Sequence, residues 1–474
     1  MNAPARLVAL AAALALLIPV CAFSPDPAEA PAADLIVTAA PAYESLAALH
    51  LAPQSHERFP KGAQLMLVHG GKAQPLVQGF AATADANLSW DAKRILFAGK
   101  QSPADPWQIW EMRLDDRTVR KIVSADADAV LPLYLPSGKL VFALHTKSGF
   151  QLTVAGKDGP SMTAPIDDKA GETLQPLSFL PAAAIPADVL ADGRILFESA
   201  YPLGTGSTPE MYLVYSDGSG VESYRCDHGA ARWGGRQLAS GDVVFTQGAT
   251  LARFTSPLAA AAPIVAPHAQ YAGGIAETAT GAWLVSARAS ANAHYALKLW
   301  KPGAAALQTL VALDGEDLVQ PVVVAERKRP NRHPSGLHDW SYANLLALDA
   351  RQSRAGDLKV APASVRMETM DAQGRAVTVG TAPVESDGSF FVKAPADKPI
   401  RFSLLDAKGA VVRQEHGWFW ARRGEQRICV GCHTGPERGS ENNVPAVLLR
   451  TTTPADLSGA PAKDSAKQAE RGGN

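Results

Sequence analysis

The stretch Ala191-Asp192-Gly193-Arg194-Ile195-Leu196-Phe197 decides the fold, because a tight turn leads directly into an apolar strand and the same phrase recurs along the chain. The four other copies are Trp90-Asp91-Ala92-Lys93-Arg94-Ile95-Leu96-Phe97, Pro136-Ser137-Gly138-Lys139-Leu140-Val141-Phe142, Ala239-Ser240-Gly241-Asp242-Val243-Val244-Phe245 and Ala279-Thr280-Gly281-Ala282-Trp283-Leu284-Val285. Each has Gly or Ala in the turn, since a tight hairpin demands positive φ or little side-chain bulk. The copies therefore predict one structural unit, repeated five times.

A second strand and turn follow each copy, which gives about four strands in each repeat of 40 to 55 residues. That period is typical of a propeller blade, whose apolar faces must be buried by neighbouring blades. Leu65 to Val68 and Pro75 to Val77 supply half a blade at one end, and Leu318 to Ala325 supplies an inner strand at the other. We therefore expect an all-β, six-bladed propeller with a sixth blade built from both ends. The repeat phrase resembles the TolB-type propeller repeat.

Beyond the repeats, short strands alternate with turns such as Asp371-Ala372-Gln373-Gly374 and Asp406-Ala407-Lys408-Gly409. This alternation predicts a small antiparallel β-sandwich-like domain. The predicted boundaries are a signal peptide (1–22), an Ala/Pro-rich lead-in (23–60), the propeller (61–326), a linker (327–341), the β-domain (342–450) and a disordered tail (451–474).

Charge is balanced, with 45 basic and 46 acidic residues and a formal net charge of −1. Bulk electrostatics therefore argue against a nucleic-acid partner. Four cysteines are present, and two of them form the most informative motif of the chain.

That motif is Cys429-Val430-Gly431-Cys432-His433, the pattern to which haem c is covalently attached. The two thiols can add to the two vinyl groups of one porphyrin, and His433 can serve as the proximal iron ligand. A structural zinc site would need further ligands at fixed spacing. A thioredoxin-like pair would need a βαβ setting, and a labile disulfide is a further alternative. We expect one haem c on the β-domain.

The first 22 residues support this reading, since Arg6 precedes an apolar run from Leu7 to Val20 that resembles a secretory signal. Haem c is attached outside the bacterial cytoplasm, so a periplasmic protein is expected. An outer-leaflet lipoprotein anchored through Cys21 is disfavoured, because Val20 stands where a small residue is needed. No other segment is apolar enough to predict a membrane span.

Further runs carry a family resemblance: Ser386-Asp387-Gly388-Ser389-Phe390, Lys398-Pro399-Ile400, Trp418-Phe419-Trp420, Gly424-Glu425-Gln426-Arg427 and the cysteine motif. Together they resemble the middle domain of the hydrazine synthase alpha-subunit family over residues 340–450, preceded by a propeller as in that family. The resemblance implies that the paired cysteines hold a haem and that His433 is its proximal ligand. It does not carry hydrazine synthesis over, because the enzyme has many haems and this chain has one attachment motif.

The ligand on the other face of the iron is left open by the sequence. His416, His338 and His333 are the distal candidates, Met367 and Met370 are thioether alternatives, and an open five-coordinate iron is a further possibility. Trp418 and Trp420 lie two residues apart and share one face of a strand, where they line a haem pocket or pack in a core.

Three functions compete at this point. The first is a periplasmic monohaem cytochrome that transfers electrons to a redox partner protein, with the propeller as a docking platform. The second is a haem c oxidoreductase acting on a small, nitrogenous substrate between propeller and haem domain. The third is a protein-binding propeller whose haem is structural.

Overall fold

The computed structural model describes residues 31–45, 57–156, 174–203, 206–225, 230–353, 356–415, 417–431 and 443–459. Strands dominate these residues, and the described ranges contain one short helix, α1 (Ala446–Arg450). Eight sheets form two units, six in the first and two in the second. The predicted all-β class is confirmed.

Consecutive antiparallel strands build the propeller sheets. The first strands are β1 (Leu35–Ala40), β2 (Gln64–His69) and β3 (Lys72–Pro75). Blade 1 has β4 (Ala82–Leu88), β5 (Arg94–Lys100), β6 (Gln108–Arg113) and β7 (Val119–Lys121); blade 2 has β8 (Ala129–Tyr134), β9 (Leu140–Thr146), β10 (Gly149–Ala155) and β11 (Gln175–Pro176). Blade 3 has β12 (Ala184–Val189), β13 (Ile195–Leu203), β14 (Gly206–Val214) and β15 (Glu222–Ser223); blade 4 has β16 (Arg232–Gln237), β17 (Val243–Gln247), β18 (Thr250–Phe254) and β19 (Ala262–Pro263). Blade 5 has β20 (Gln270–Tyr271), β21 (Ala276–Glu277), β22 (Trp283–Arg288), β23 (Ala296–Trp300) and β24 (Gln308–Val311).

Blade 6 closes the ring from both ends of the repeat region, as predicted. Strand β25 (Asp317–Val323) pairs antiparallel with β1, which pairs with β2. The structure differs from the sequence analysis in one respect, because β1 lies inside the segment predicted as a lead-in. All six residues of β1 are buried, so the strand lacks the alternation that reveals a half-buried strand. Its apolar run is short and is flanked by Ala and Pro.

The predicted turn chemistry is confirmed at all five repeats. Ala92, Gly138, Gly193, Gly241 and Gly281 have φ values of 53°, 92°, 89°, 91° and 75°. The N–H of each donates to the carbonyl three residues earlier at 2.8–3.1 Å. Ala92 thus adopts a backbone conformation that costs an L-residue about 1 kcal/mol and that glycine reaches freely.

Buried polar contacts join neighbouring inner strands around the central channel. Asp85 accepts two hydrogen bonds from the buried Arg58 guanidinium, one of them at 2.7 Å. The same carboxylate accepts from Leu131 N of blade 2 at 3.1 Å and from Gln320 Nε2 of blade 6 at 2.6 Å. One carboxylate therefore connects blades 6, 1 and 2 where the ring closes.

The linker after the propeller lies across one face of the ring. Arg327 N donates to Trp90 O, the Arg329 side chain contacts Pro136 O, and Asn331 N donates to Ala191 O. Next, the His333 ring stacks on Tyr215 at 4.0 Å. Residues 327–333 therefore cross the turns of blades 1, 2 and 3 in order before the second domain begins.

The second domain is the predicted two-sheet sandwich. Its strands are β26 (Tyr342–Ala347), β27 (Ser364–Met370), β28 (Ala376–Pro383), β29 (Phe390–Pro395), β30 (Ile400–Leu405), β31 (Val411–Gln414), β32 (Gln426–Cys429) and β33 (Ala455–Asp456). One sheet has the order β28-β27-β30-β31 and the other β32-β26-β29-β33. Val365, Met367, Val392 and Phe402 pack between them.

Two features of this domain differ from the prediction. Both outer strands of the second sheet are parallel to their neighbours, β32 to β26 and β33 to β29. Residues 451–459, predicted as part of a disordered tail, include β33 and the buried Leu457, which packs in the sandwich core. Pairing of β33 with β29 and burial of Leu457 hold this stretch against the sandwich, and its polar composition gave no sign of either. Residues 460–474 and 1–22 lie outside the described residues.

Across the described ranges, we find no helix with the length and apolar character needed to cross a membrane.

Candidate haem-attachment site

Strand β32 places Cys429, the first cysteine of the motif. It pairs in parallel with β26, with Cys429 opposite Ala347, and Leu348 N donates to Cys429 O at 2.9 Å. The Cys429 side chain is half-buried at the end of this edge strand. Cys432 and His433 lie outside the described residues, so the structure fixes one end of the motif.

The surroundings of Cys429 disfavour a free, reactive thiolate. Burial raises the pKa of its thiol; Arg427 opposes this effect, and Glu415 and Glu425 reinforce it. Redox-active thiols of the thioredoxin type need the opposite shift. The domain is also a β-sandwich, not the βαβ setting which that alternative required.

The chain leaves the described residues at Gly431 and returns at Asn443, and the flanks of this gap meet. Val430 and Asn443 line one small cavity of about 30 Å³ together with Asp349 and Asp387. Asp349 N donates to Val430 O at 3.2 Å. Val430 and Asn443, the described residues near the two ends of this gap, therefore lie close to the same residues of the sandwich.

Asp387 and Ser389 hold the returning chain. Asp387 Oδ2 accepts a hydrogen bond from Ala446 N at 2.7 Å, and Ser389 Oγ accepts one from Val447 N at 3.0 Å. Burial opposes a low pKa for Asp387, but hydrogen bonds from Ala446 N–H and from Ser389 outweigh it and lower the pKa. Sequence reasoning used Ser386 to Phe390 only as a mark of resemblance and missed this role.

Exposed apolar side chains flank the same gap. Ile428 is 66% exposed, Val444 60% and Leu449 75%. Ile428 directly precedes Cys429 in β32, so the two side chains point to opposite faces of the strand. Cys429 is half-buried at the end of an edge strand, a position that fits covalent attachment of a flat, largely apolar porphyrin.

The described distal candidates are engaged elsewhere. His333 stacks on Tyr215 of the propeller, as noted above. His338 stacks on Trp340 at 4.3 Å, and its Nε2 lies 3.3 Å from Gln426 Nε2, three residues before Cys429. Three residues of strand span about 10 Å, so His338 lies beside the opposite end of β32 from Cys429. His416 lies outside the described residues.

The thioether alternatives occupy packed positions. Met367 is fully buried in the sandwich core, and Met370 packs against a cluster shared with the propeller. Both methionines thus have an ordinary packing role in the structure.

Trp418 and Trp420 pack together on blades 2 and 3, but they do not lie in a strand as predicted, since only Phe419 between them pairs, in an isolated bridge with Ile400. Trp420 has no exposed surface, lies 6.1 Å from Phe197 between ring centroids and donates from Nε1 to Gly218 O at 2.9 Å. Trp418 belongs to the same apolar cluster. Of the two alternatives for these residues, core packing at the domain seam is the observed one.

Polar contacts anchor β32 itself to the propeller. Arg427 Nη2 donates to Val221 O at 2.9 Å, and Gly220 N donates to Glu425 Oε1 at 3.1 Å. Arg427 Nε also lies 3.1 Å from Glu425 Oε1. The strand that ends in Cys429 is therefore held by both domains.

Comparisons with known proteins agree with this architecture. Residues 345–434 match the family model described as the hydrazine synthase alpha subunit middle domain. A 61-residue stretch is 41% identical to the hydrazine synthase subunit alpha of Kuenenia stuttgartiensis, and it spans 13% of this chain and 8% of that relative.

Among solved structures, the hydrazine synthase of Kuenenia stuttgartiensis matches with a TM-score of 0.75 and 17% identity, over 89% of this chain and 72% of that one. TolB from Acinetobacter baumannii matches with a TM-score of 0.42 and 12% identity, over 61% of this chain and 66% of that one. The chain therefore resembles the hydrazine synthase alpha subunit in sequence within its C-terminal domain, and it has the fold of a hydrazine synthase chain over most of its length.

Proposed function

We propose that this chain is an exported monohaem c-type cytochrome that transfers electrons in the periplasm, with the propeller as the docking platform for a redox partner. The observation that carries the proposal is the position of Cys429, half-buried at the end of a strand that is held by both domains. A haem c, when bound, supplies a one-electron couple at its iron.

Each residue of the site has a distinct part in this proposal. Cys429 and Cys432 provide the thioether links, and His433 provides the proximal imidazole. Asp387 and Ser389 fix the chain at Ala446 and Val447, and the pairing of β32 with β26 fixes it before Cys429. The described residues on both sides of the motif are thus held by hydrogen bonds to the sandwich.

Optical and EPR spectra of the exported protein, oxidised and reduced, test this proposal. Six-coordinate, low-spin iron in both states is the expected result for an electron carrier. Iron that is high-spin in both states would count strongly against it. The Cys429→Ser/Cys432→Ser variant is the colourless control, and N-terminal sequencing of periplasmic material tests export.

A second candidate is a haem-dependent oxidoreductase acting on a small substrate between the propeller and the haem domain. The observation that favours it is that His333 and His338 are each stacked on another ring, away from Cys429, which is compatible with an open iron. Likeness to the hydrazine synthase fold supports a nitrogenous substrate. Perturbation of the Soret band by CO, NO or hydroxylamine at native pH is expected for this candidate, and an unchanged band rejects it.

A further inference from the structure

The central channel of the propeller contains a cavity of about 450 Å³. The inner strands of all six blades line it, and residues 327, 328 and 330 of the linker border it on one face. Its lining residues all precede the sandwich, so it is separate from the segment that carries Cys429. A cavity of this size is large enough for a small-molecule ligand.

Most carboxylates in the cavity wall already have protein partners. Asp85 is paired with Arg58, Glu198 accepts from Gly234 N at 2.5 Å, and Glu277 accepts from Ala239 N at 2.8 Å. These groups hold neighbouring blades together. They are therefore occupied with structural roles and are poorly placed to take up a cation.

The positively charged side chains of the cavity wall are Arg236, Arg327 and Lys328, and two of them belong to the linker. Arg236 comes from blade 4, and Arg327 is brought to the cavity by the linker, where its guanidinium lies 4.7 Å above the Trp90 ring and donates to Leu88 O at 2.6 Å. Arg236 makes one long hydrogen bond, to Gly235 O at 3.3 Å. Lys328 lines the same region.

Asp188 is the carboxylate of the cavity wall that acts electrostatically on Arg327. Burial lowers the pKa of Arg327, Asp188 raises it and Arg236 lowers it, so both charges act on Arg327. Asp188 also accepts hydrogen bonds from Val189 N and Gln237 N, each at 2.8 Å. Arg236, Arg327 and Asp188 therefore line the same cavity, and the Asp188 carboxylate already accepts two backbone hydrogen bonds.

We propose that this end of the channel binds a small anion with carboxylate or phosphate oxygens, held between Arg236 and Arg327. Guanidinium groups match such oxygens with paired N–H donors, and an anion would relieve the repulsion between the two cations. Lys328 adds a third positive charge. The inference is independent of the haem, since every residue it uses belongs to the propeller or the linker.

Titration calorimetry of the full chain tests this site, with inorganic phosphate in one arm and succinate in the other, each against chloride at equal ionic strength. Saturable binding of phosphate or succinate above the chloride baseline is expected, and the preferred arm identifies the oxyanion. Arg236→Gln and Arg327→Gln should each weaken binding at least about tenfold. Arg329→Gln is the matched control, because Arg329 lies on the same linker and contacts Pro136 outside the cavity.

The Asp188→Asn variant should change anion affinity in the opposite direction to the arginine variants. It removes the negative charge that acts on Arg327 and keeps one acceptor oxygen, for Gln237 N, so anion affinity should rise several-fold. Trypsin cleavage after Lys328 should also slow in saturating phosphate, with the site after Arg332 as an internal reference. The proposal is overturned if phosphate and succinate behave like chloride, or if both arginine variants bind as tightly as the wild-type chain.

Discussion

The propeller and the sandwich differ in how their sheets are assembled. Five propeller sheets each use consecutive strands, and the sixth joins the two ends of the repeat region. The sandwich sheet that carries Cys429 instead joins four separate segments, with parallel pairing at both edges. Hairpins can be predicted from local turn and strand patterns in the sequence. Parallel strand pairs are joined by long connections, so no local pattern predicts them. The candidate site thus lies where the sequence is least informative about structure.

The largest expected effect on stability concerns β1, the strand that closes the propeller ring. Val37→Asp places a charge at a fully buried position of β1, within a cluster that includes Leu284 and Leu297. We expect a loss of more than about 4 kcal/mol in the free energy of unfolding, measured by urea denaturation. Val411→Asp is the matched control at an edge strand of the sandwich, 48% exposed, and should cost less than about 1 kcal/mol. Equal effects would mean that β1 does not close the ring.

The next largest loss of stability is expected at Trp420, where the two domains pack against each other. Trp420→Ala should cost about 3–5 kcal/mol, because it empties a fully buried indole site. Trp420→Phe keeps most of the ring and loses the hydrogen bond to Gly218 O, so it should cost about 1–2 kcal/mol. Calorimetry is the measurement, and two separated transitions are expected for the alanine variant. A small, single-transition change would contradict tight packing at the seam.

The clamp formed by Asp387 and Ser389 on Ala446 and Val447 has a smaller effect that depends on pH. Asp387→Ala should cost about 1–2 kcal/mol and speed amide exchange at residues 446–450. The folded pKa of Asp387 is lowered, so its contribution is present above the unfolded value of about 4 and is lost as pH falls below it. The gap between wild-type and variant stability should therefore narrow under acid conditions.

Asp371→Ala is the control for this clamp. Asp371 accepts hydrogen bonds from Gln373 N and Arg375 N within its own turn and also has a lowered pKa. Exchange at residues 446–450 should stay unchanged in this variant. If both aspartate variants change that exchange alike, Asp387 does not act as a specific clamp.

The repeated turns give the smallest effects. Gly241→Ala should cost about 1 kcal/mol, because its φ is 91° and no atom lies within 4 Å of an added Cβ. Ala92→Gly at the equivalent turn should be neutral or stabilise by less than about 1 kcal/mol. Thermal unfolding of the two variants is the measurement, and a destabilisation of Ala92→Gly as large as that of Gly241→Ala would contradict the equivalence of the two turns.

Much of the fold could be predicted from the sequence because its information is local. The turn from Ala191 to Ile195 and its copies reveal the blades, and the alternation around Gly374 and Gly409 reveals the sandwich. Strand β1 was not predicted because it is buried on both faces and shows no alternation. The burial of Leu457 was not predicted because one apolar residue in a polar stretch has no periodicity.

The candidate site was predictable only in part. Cys429 was found because a covalent attachment needs fixed spacing within five residues. Asp387 was missed because its partner Ala446 lies 59 positions away. Arg236 and Arg327 were missed for the same reason, since only the ring and the linker bring them to one cavity. Pairings set by tertiary structure leave no pattern along the chain.

The intact mass of the mature chain, produced with a cytochrome c maturation system, tests the central claim most directly. A gain equal to one covalently bound haem is expected for the wild-type chain, with no gain in the Cys429→Ser/Cys432→Ser variant. A wild-type chain without that added mass after maturation would contradict haem attachment at Cys429 and Cys432.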